Sequence, residues 1–97
     1  MLVTKSHNYQ KEVPFTFKDN GTIFEGVMDV VFKEEDSLAV LDFKTDLVKK
    51  DNLNSKAEHY KPQAKVYSDA IRTIFGKPPK EIILFFLHNM EPVSIET

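Results

Sequence analysis

Three short segments of this 97-residue chain carry side chains that together suit cleavage of a phosphodiester. In chain order they are Gly26-Val27-Met28-Asp29, Asp42-Phe43-Lys44-Thr45 and Gln63-Ala64-Lys65-Val66-Tyr67. Metal-dependent hydrolysis of a phosphodiester needs two carboxylates and, two residues after the second of them, a lysine. The carboxylates hold a hard cation, and the lysine meets the negative charge that develops on the phosphate.

Apolar periodicity and turn signals predict the elements that must position these segments. Strands are predicted over 12–17, 22–32, 38–43, 82–87 and 93–95, and one long helix over about 55–75. The turn Asp19-Asn20-Gly21 and the charged turn at 33–37 join the first three strands into an antiparallel meander. Because the helix connects strands three and four, those two are expected to be parallel. The order β-β-β-α-β-β predicts an α/β (α+β) fold with a mixed sheet of four or five strands.

Asp29 and the Asp42/Lys44 pair are candidate site residues because of where they lie in the strands. Aspartate is depleted in strands and is costly when buried without a partner. Strand alternation puts Asp42 and Lys44 on one face, and a short turn brings Asp29 beside Asp42, where the two carboxylates repel unless a cation lies between them. The alternatives are a solvent-facing Asp29 and an ordinary surface ion pair between Asp42 and Lys44.

The helix adds an amide and a phenol. Gln63 and Tyr67 are four residues apart and share a helix face, so they can point at the strand ends, near a phosphate or a base. Alternatively, Tyr67 belongs to an apolar stripe and Gln63 is its solvated neighbour. That stripe comprises Tyr60, Ala64, Tyr67, Ile71 and Ile74/Phe75.

Two further acidic positions have plain interpretations, and Glu12 also has a functional one. Glu12 precedes a strand and is either an outer carboxylate of the site or a surface charge. Asp46, with Thr45, begins the loop after the third strand, and both residues can serve simply to cap backbone groups.

Composition limits the classes of protein. The net charge is −2, but the stretch from Lys44 to Lys80 carries +5 and the remainder −7. That stretch suits phosphates, or it is a solvated lysine-rich helix face. The chain has no cysteine, which excludes disulfides and favours a reducing cytoplasm. No apolar run approaches the roughly 18 residues of a membrane span, so no membrane partner is expected.

Taken together, the motifs resemble a known family. Four segments in order are similar to the RecB-type branch of the PD-(D/E)XK nuclease superfamily, in particular to the C-terminal nuclease domain of AddA-type helicase–nuclease subunits. They are Glu12-Val13-Pro14-Phe15, Gly26-Val27-Met28-Asp29, Asp42-Phe43-Lys44-Thr45 and Tyr60-x-x-Gln63-x-x-x-Tyr67. The resemblance covers residues 12 to 87. It implies a restriction-endonuclease-like core.

The resemblance also implies roles for individual residues. Asp29, Asp42 and the backbone carbonyl of Phe43 would bind Mg²⁺, with Mn²⁺ as a substitute, and Lys44 would assist catalysis. Gln63 and Tyr67, together with Thr45 and Tyr60, would contact DNA and organise the site. Glu12 matches a further acidic position of the family.

The function implied is that of a magnesium-dependent deoxyribonuclease, an exonuclease within a bacterial, cytoplasmic helicase–nuclease that acts in double-strand-break repair and recombination. The partners would be DNA, the partner subunit of a helicase–nuclease, the rest of a longer polypeptide and, for the fragment, a second copy. The family has an upstream helix with a metal-binding histidine that this chain does not match, so residues 1–97 are expected to be a partial single nuclease domain.

The alternative is a non-catalytic module of the same fold that docks a subunit or binds DNA. Nucleases of other branches are less favoured because Gln63 and Tyr67 fit the RecB-type pattern.

Overall fold

The apolar and turn patterns of the sequence form five strands and two α-helices in the computed structural model, which describes residues 8–95. The strands are β1 Tyr9–Asp19, β2 Thr22–Glu34, β3 Ser37–Lys44, β4 Glu81–Phe86 and β5 Glu91–Ile95. The helices are α1 Leu53–His59, preceded by a 3₁₀ turn at Lys50–Asn52, and α2 Lys61–Phe75. Within the described residues, no helix is long and apolar enough to cross a membrane.

The sheet is mixed, as predicted. Its spatial order is β1-β2-β3-β4-β5, with β3 and β4 parallel and every other neighbouring pair antiparallel. The β1–β2 hairpin turns at Asn20 and Gly21, whose φ angles of 49° and 82° suit the left-handed turn that Asn-Gly favours. The parallel pairing places the C-terminal end of β3, which carries Asp42 and Lys44, beside the end of β4.

The prediction of one helix over 55–75 is wrong in one respect, because the segment forms two helices that meet at Tyr60. The amide of Tyr60 donates to the carbonyl of Ala57 instead of continuing the α-helical ladder. Pro62, at the start of α2, has no N–H to donate to the preceding turn, which favours the first turn of a new helix over a helix interior. Gly76 ends α2 with a φ of 86°, as expected of a helix C-cap.

Helix α2 packs on one face of the sheet and forms the main core there. The largest fully buried side chains of this helix-side core are Met28, Val40, Ile71, Ile82, Leu84 and Phe86. The predicted apolar stripe holds at Ala64, Tyr67 and Ile71 but fails at its end, where Ile74 and Phe75 are about half exposed. These two residues lie in the last turn of α2, just before Gly76 ends the helix.

The opposite face of the sheet carries a smaller apolar group, the far-side cluster, made of Val30, Phe32, Ala39 and Leu41. The side chains of β2 do not alternate regularly between the two faces of the sheet, and the irregularity lies at Asp29. Met28 and Val31 belong to the helix-side core, whereas Val30 lies in the far-side cluster, so the alternation of β2 shifts by one residue.

Strand β1 is irregular at Glu12, which lies opposite Asp29. The β1–β2 ladder pairs Lys11 with Val30 and Val13 with Met28, but has no pair between Glu12 and Asp29. Glu12 has a φ of 52°, which is uncommon for a residue other than glycine. The sheet therefore departs from regular pairing at the level of the candidate acidic residue.

Gly26 makes room for an aromatic ring of the core, and this contact yields a prediction about stability. A Cβ at Gly26 would lie 3.0 Å from Cζ and 3.1 Å from Cε1 of Phe15. That ring packs edge-on against Tyr67, with centroids 5.7 Å apart. We expect Gly26→Val to lower the free energy of unfolding by about 1–3 kcal/mol, because the Phe15 ring must move. Urea denaturation measures the change.

The control is Glu25→Ala, an exposed neighbour on the same strand, which should change stability by less than about 0.5 kcal/mol. Equal denaturation midpoints for the Gly26 and Glu25 variants would contradict the prediction.

Candidate active site

The candidate acids meet where β2 and β3 stop pairing. Their ladder ends at Val30 and Leu41, so the next opposed positions, Asp29 and Asp42, form no backbone pair. Instead, the Phe43 amide donates to Oδ2 of Asp29 at 2.8 Å, and the side chain takes the place of a missing carbonyl. The end of the ladder thus brings Asp29 to the end of β3, as the hairpin predicted.

Asp42 is the buried member of the pair. It is 4 % exposed, and its Oδ2 has no hydrogen-bond partner within residues 8–95, although Nζ of Lys44 approaches it to 2.7 Å as an ion pair. Burial, and next the neighbouring Asp29 carboxyl, raise the pKa of Asp42 to about 6, against the opposing influence of Lys44. The two carboxyls therefore hold charge together only at a cost.

Lys44 lies on the same face of β3 as Asp42, which confirms the prediction from strand alternation. Its Nζ donates to Oε1 of Gln63 at 2.7 Å and lies 4.0 Å from the centroid of the Tyr60 ring. The side chain is only 12 % exposed. Lys44 is therefore a largely enclosed ammonium held by strand and helix residues together, not an ordinary surface lysine.

Gln63 and Tyr67 form a directed chain of hydrogen bonds from Lys44 to β2. Since Oε1 of Gln63 accepts from Lys44, its Nε2 is the donor to the Tyr67 hydroxyl, at 3.0 Å. That hydroxyl donates in turn to the Val27 carbonyl at 3.4 Å. Tyr67 is 5 % exposed, and burial, then the charges of Asp42 and Asp29, raise its pKa. The ring of Tyr67 lies in the core, as the apolar stripe predicts, while its hydroxyl bonds to Gln63; a role of Tyr67 near a phosphate or a base stays a prediction.

Asp46 joins the cluster from the loop after β3, where sequence reasoning offered only a backbone cap. The Tyr60 hydroxyl donates to the Asp46 carboxylate, 2.9 Å from each oxygen, and Nζ of Lys56 lies 3.3 Å from Oδ2. The bond from Tyr60 is the main reason why the pKa of Asp46 is lowered. The signal in the sequence was its position two residues beyond Lys44, which continues the spacing of Asp42 and Lys44.

The remaining predicted residues lie around this cluster without joining its hydrogen bonds. Thr45 is exposed at the end of β3, and Glu12 is exposed on the edge strand, level with Asp29 in the register. For Phe43 the structure shows the amide bound by Asp29, while the role of its carbonyl as a metal ligand stays a prediction.

The donor set suits a hard divalent cation. Asp42 offers a buried oxygen that lies against the Lys44 ammonium, and Asp29 brings a second carboxylate to it. Such cations are commonly held by one or two carboxylates, with waters and substrate phosphates completing the shell. Within residues 8–95, no group of three or more His, Cys, Asp and Glu side chains lies close enough together to hold a metal ion without other ligands.

Comparison with known proteins identifies the family. The sequence profile of the PD-(D/E)XK nuclease superfamily matches residues 3–95. The chain belongs to the PD-(D/E)XK nuclease superfamily. The mixed five-stranded sheet with helices on one face is consistent with the restriction-endonuclease-like fold expected from the resemblance.

Curated relatives in this superfamily carry the name of the A subunit of an ATP-dependent helicase/nuclease. The protein of Clostridium acetobutylicum is 30% identical over 92 residues, or 95% of this chain, and that of Thermoanaerobacter sp. (strain X514) is 37% identical over 87 residues, or 88% of it. The Clostridioides difficile protein is 33% identical over 77 residues, or 79% of the chain. The chain spans only 6–7% of the length of these relatives.

Because the pKa of Asp42 is raised, the stability of the folded chain should depend on pH when no metal is bound. Between the usual value of 3.8 and about 6, the unfolded chain has released a proton that the folded chain still holds. The contribution of Asp42 to stability is therefore full below about pH 4 and falls as pH rises towards about 6 to 7, by up to about 3 kcal/mol. In EDTA, we expect Asp42→Asn to be more stable than the parent at pH 7.

Urea denaturation of both proteins from pH 4 to pH 8 measures this difference. Asp69→Asn, at a partly exposed helix position, is the control and should track the parent closely. A constant difference between the Asp42→Asn variant and the parent across this range would contradict the assignment.

Proposed function

We propose that this chain is the metal-dependent nuclease part of a DNA-cleaving enzyme, and that Asp29, Asp42 and Lys44 perform the hydrolysis. The observation that carries the proposal is the end of the β2–β3 ladder, where two carboxyls and an enclosed ammonium come together on the helix side of the sheet. A surface ion pair needs neither the burial of Asp42 nor the second carboxyl beside it.

The residues divide the chemistry between them. Asp29 and Asp42 would hold a divalent cation, Mg²⁺ or its substitute Mn²⁺, with the Phe43 carbonyl as a further ligand. When bound, such a cation supplies Lewis acidity, which lowers the pKa of a water and offsets phosphate charge. In the hydrolysis, a water oxygen forms a bond to phosphorus, the bond to the leaving sugar oxygen breaks, and that oxygen ends protonated.

The proposed role of Lys44 is to stabilise the negative charge that develops on the phosphate. A lysine at this position can orient or deprotonate the water, or stabilise the transition state. Its ion pair with Asp42 at 2.7 Å favours the stabilising role, because an ammonium that pairs with a carboxylate can also offset negative charge on a phosphate. Gln63 accepts a hydrogen bond from that ammonium, and Tyr67 holds Gln63. With Tyr60 and Thr45, these residues would organise the site and contact DNA.

The biological setting follows from the relatives. Since their names describe ATP-dependent helicase/nuclease subunits, we propose that residues 1–97 are part of the nuclease domain of such a polypeptide, whose partners are a second subunit of the enzyme and DNA. An exonuclease role in double-strand-break repair and recombination, in the bacterial cytoplasm, belongs to the same proposal. Self-association of the chain alone stays a prediction.

A titration of metal tests the ligands. We expect Mn²⁺ to bind the chain at pH 7.5, and to bind more weakly at pH 5.5, because the proton on Asp42 competes with the cation. Asp29→Ala and Asp42→Ala should each abolish binding in isothermal titration calorimetry, whereas the control Asp69→Ala should bind like the parent. Binding that survives both site variants would place the metal elsewhere.

Cleavage tests the enzyme. With Mg²⁺ or Mn²⁺ and labelled single- and double-stranded DNA, we expect the natural polypeptide that carries this chain to degrade DNA. Lys44→Ala should lower the single-turnover rate by about 10²–10³-fold, because it removes a charge aimed at the transition state. Lys65→Ala, on the exposed side of α2, is the matched control. Absence of metal-dependent cleavage in the parent would refute the proposal.

A second candidate is a module of the same fold that binds DNA or docks a subunit without cleaving. It is favoured by the face of the sheet opposite the helices, where the Phe43 ring packs against Phe85 and is 42 % exposed. In that case Asp42→Ala leaves the affinity for DNA unchanged while no parent activity is found. The cleavage and titration experiments therefore separate the two candidates.

A further inference from the structure

The ammonium of Lys44 is surrounded on three sides by groups from different elements. Asp42 on β3 lies 2.7 Å from it, Gln63 on α2 accepts its hydrogen bond at 2.7 Å, and the ring of Tyr60 lies 4.0 Å away at the junction of the helices. A lysine ammonium has three donors and a flexible stem, so its position depends on what surrounds it. Of these three groups, the Tyr60 ring contacts the ammonium through a cation–π interaction, whereas the other two offer oxygen atoms.

A second set of contacts fixes the Tyr60 ring. Its hydroxyl lies 2.9 Å from both carboxylate oxygens of Asp46, and Lys56 holds the same carboxylate from α1 at 3.3 Å. The pKa of Tyr60 is raised, by burial and by this bond, so the hydroxyl remains a donor. Asp46 thus ties the loop after β3 to both helices through one carboxylate.

We propose that Asp46 is a positioning residue that holds Lys44 at the cleavage site through the ring of Tyr60. This inference rests on the proposed function of Lys44. The face of an aromatic ring attracts a cation only when the cation lies over it, so a ring that swings away withdraws one side of the enclosure. Asp46 touches neither metal nor phosphate in this assignment and acts only through the orientation of the ring.

Two variants break the same link from opposite ends. Asp46→Ala removes the acceptor, and Tyr60→Phe keeps the ring but removes the donor. We expect each to lower the single-turnover rate of DNA cleavage at saturating DNA by about tenfold, with the affinity for Mn²⁺ unchanged. Because both remove one interaction, the double variant should lose no more than either single variant.

Asp69 provides a matched control for Asp46. It is also an acid with cationic partners, Lys65 and Arg72, and its side chain is 21 % exposed against 23 % for Asp46. Asp69→Ala should leave the cleavage rate unchanged. Circular dichroism and urea denaturation of all variants identify any that fail to fold, and Tyr60→Phe decides the question if Asp46→Ala does so.

A readout independent of cleavage measures the positioning itself. In protein labelled at lysine ¹³Cε, NMR relaxation reports how strongly the end of the Lys44 side chain is ordered. We expect its order parameter to fall in Asp46→Ala and in Tyr60→Phe, and to stay unchanged in Asp69→Ala. An unchanged order parameter in the first two variants, or rate losses that add in the double variant, would overturn the proposal.

The cleavage rates and the order of Lys44 together distinguish failure of the proposed function from failure of the positioning role. If the parent does not cleave DNA but the order of Lys44 still depends on Asp46, the proposed function is refuted and the positioning role stands. If the parent cleaves DNA and loses its rate in Lys44→Ala but not in Asp46→Ala, the positioning role is refuted and the proposed function stands.

Discussion

The site depends on one constraint, which is that Asp42 is buried at the end of a strand beside a second carboxyl. A buried carboxylate is unfavourable unless groups nearby compensate it. Lys44 supplies the opposite charge, but burial and Asp29 prevail and raise the pKa of Asp42 to about 6. Around this acid the pairing of β2 with β3 stops, Gln63 of α2 turns towards Lys44, and the loop after β3 begins.

The end of the ladder and the break between the helices work together. If β2 and β3 paired two residues further, a backbone carbonyl would take the Phe43 amide and Asp29 would lose its bond to it. If α1 continued straight into α2, Tyr60 would be an interior helix position, where Pro62 would leave the carbonyl of Glu58 without its usual donor. Both interruptions of regular structure lie next to Lys44. Irregular backbone of this kind is often found at functional sites.

Much of this arrangement could be predicted from the sequence. The strands, their order, the parallel pairing of β3 with β4 and the shared face of Asp42 and Lys44 follow from local apolar patterns, turn residues and the length of the connection. Strand patterns repeat every two residues and helix patterns about every 3.6, so both can be recognised without knowledge of the tertiary contacts. The pairing of Gln63 with Tyr67 followed from their spacing for the same reason.

Other features depend on contacts between residues far apart in the sequence, and local patterns do not contain them. The shift in the alternation of β2 at Asp29 becomes visible only when two apolar clusters on opposite faces are compared. Asp46 resembled a loop cap because its partner Tyr60 is 14 residues away, and the exposure of Ile74 and Phe75 is not visible in the helical spacing that they share with Tyr67 and Ile71. Long-range contacts therefore decide which polar residues belong to the site.

The charges of the chain complete the physical account. The two acids of the site lie beside the basic stretch that runs from Lys44 to Lys80, while most of the acidic residues lie outside it. A polyanion such as DNA would be attracted to the basic stretch, but the carboxylates would repel a phosphate that approached them directly. A cation held by Asp29 and Asp42 would reverse that local repulsion and relieve the repulsion between the two acids. The same cation would thus favour both the folded state and the bound phosphate.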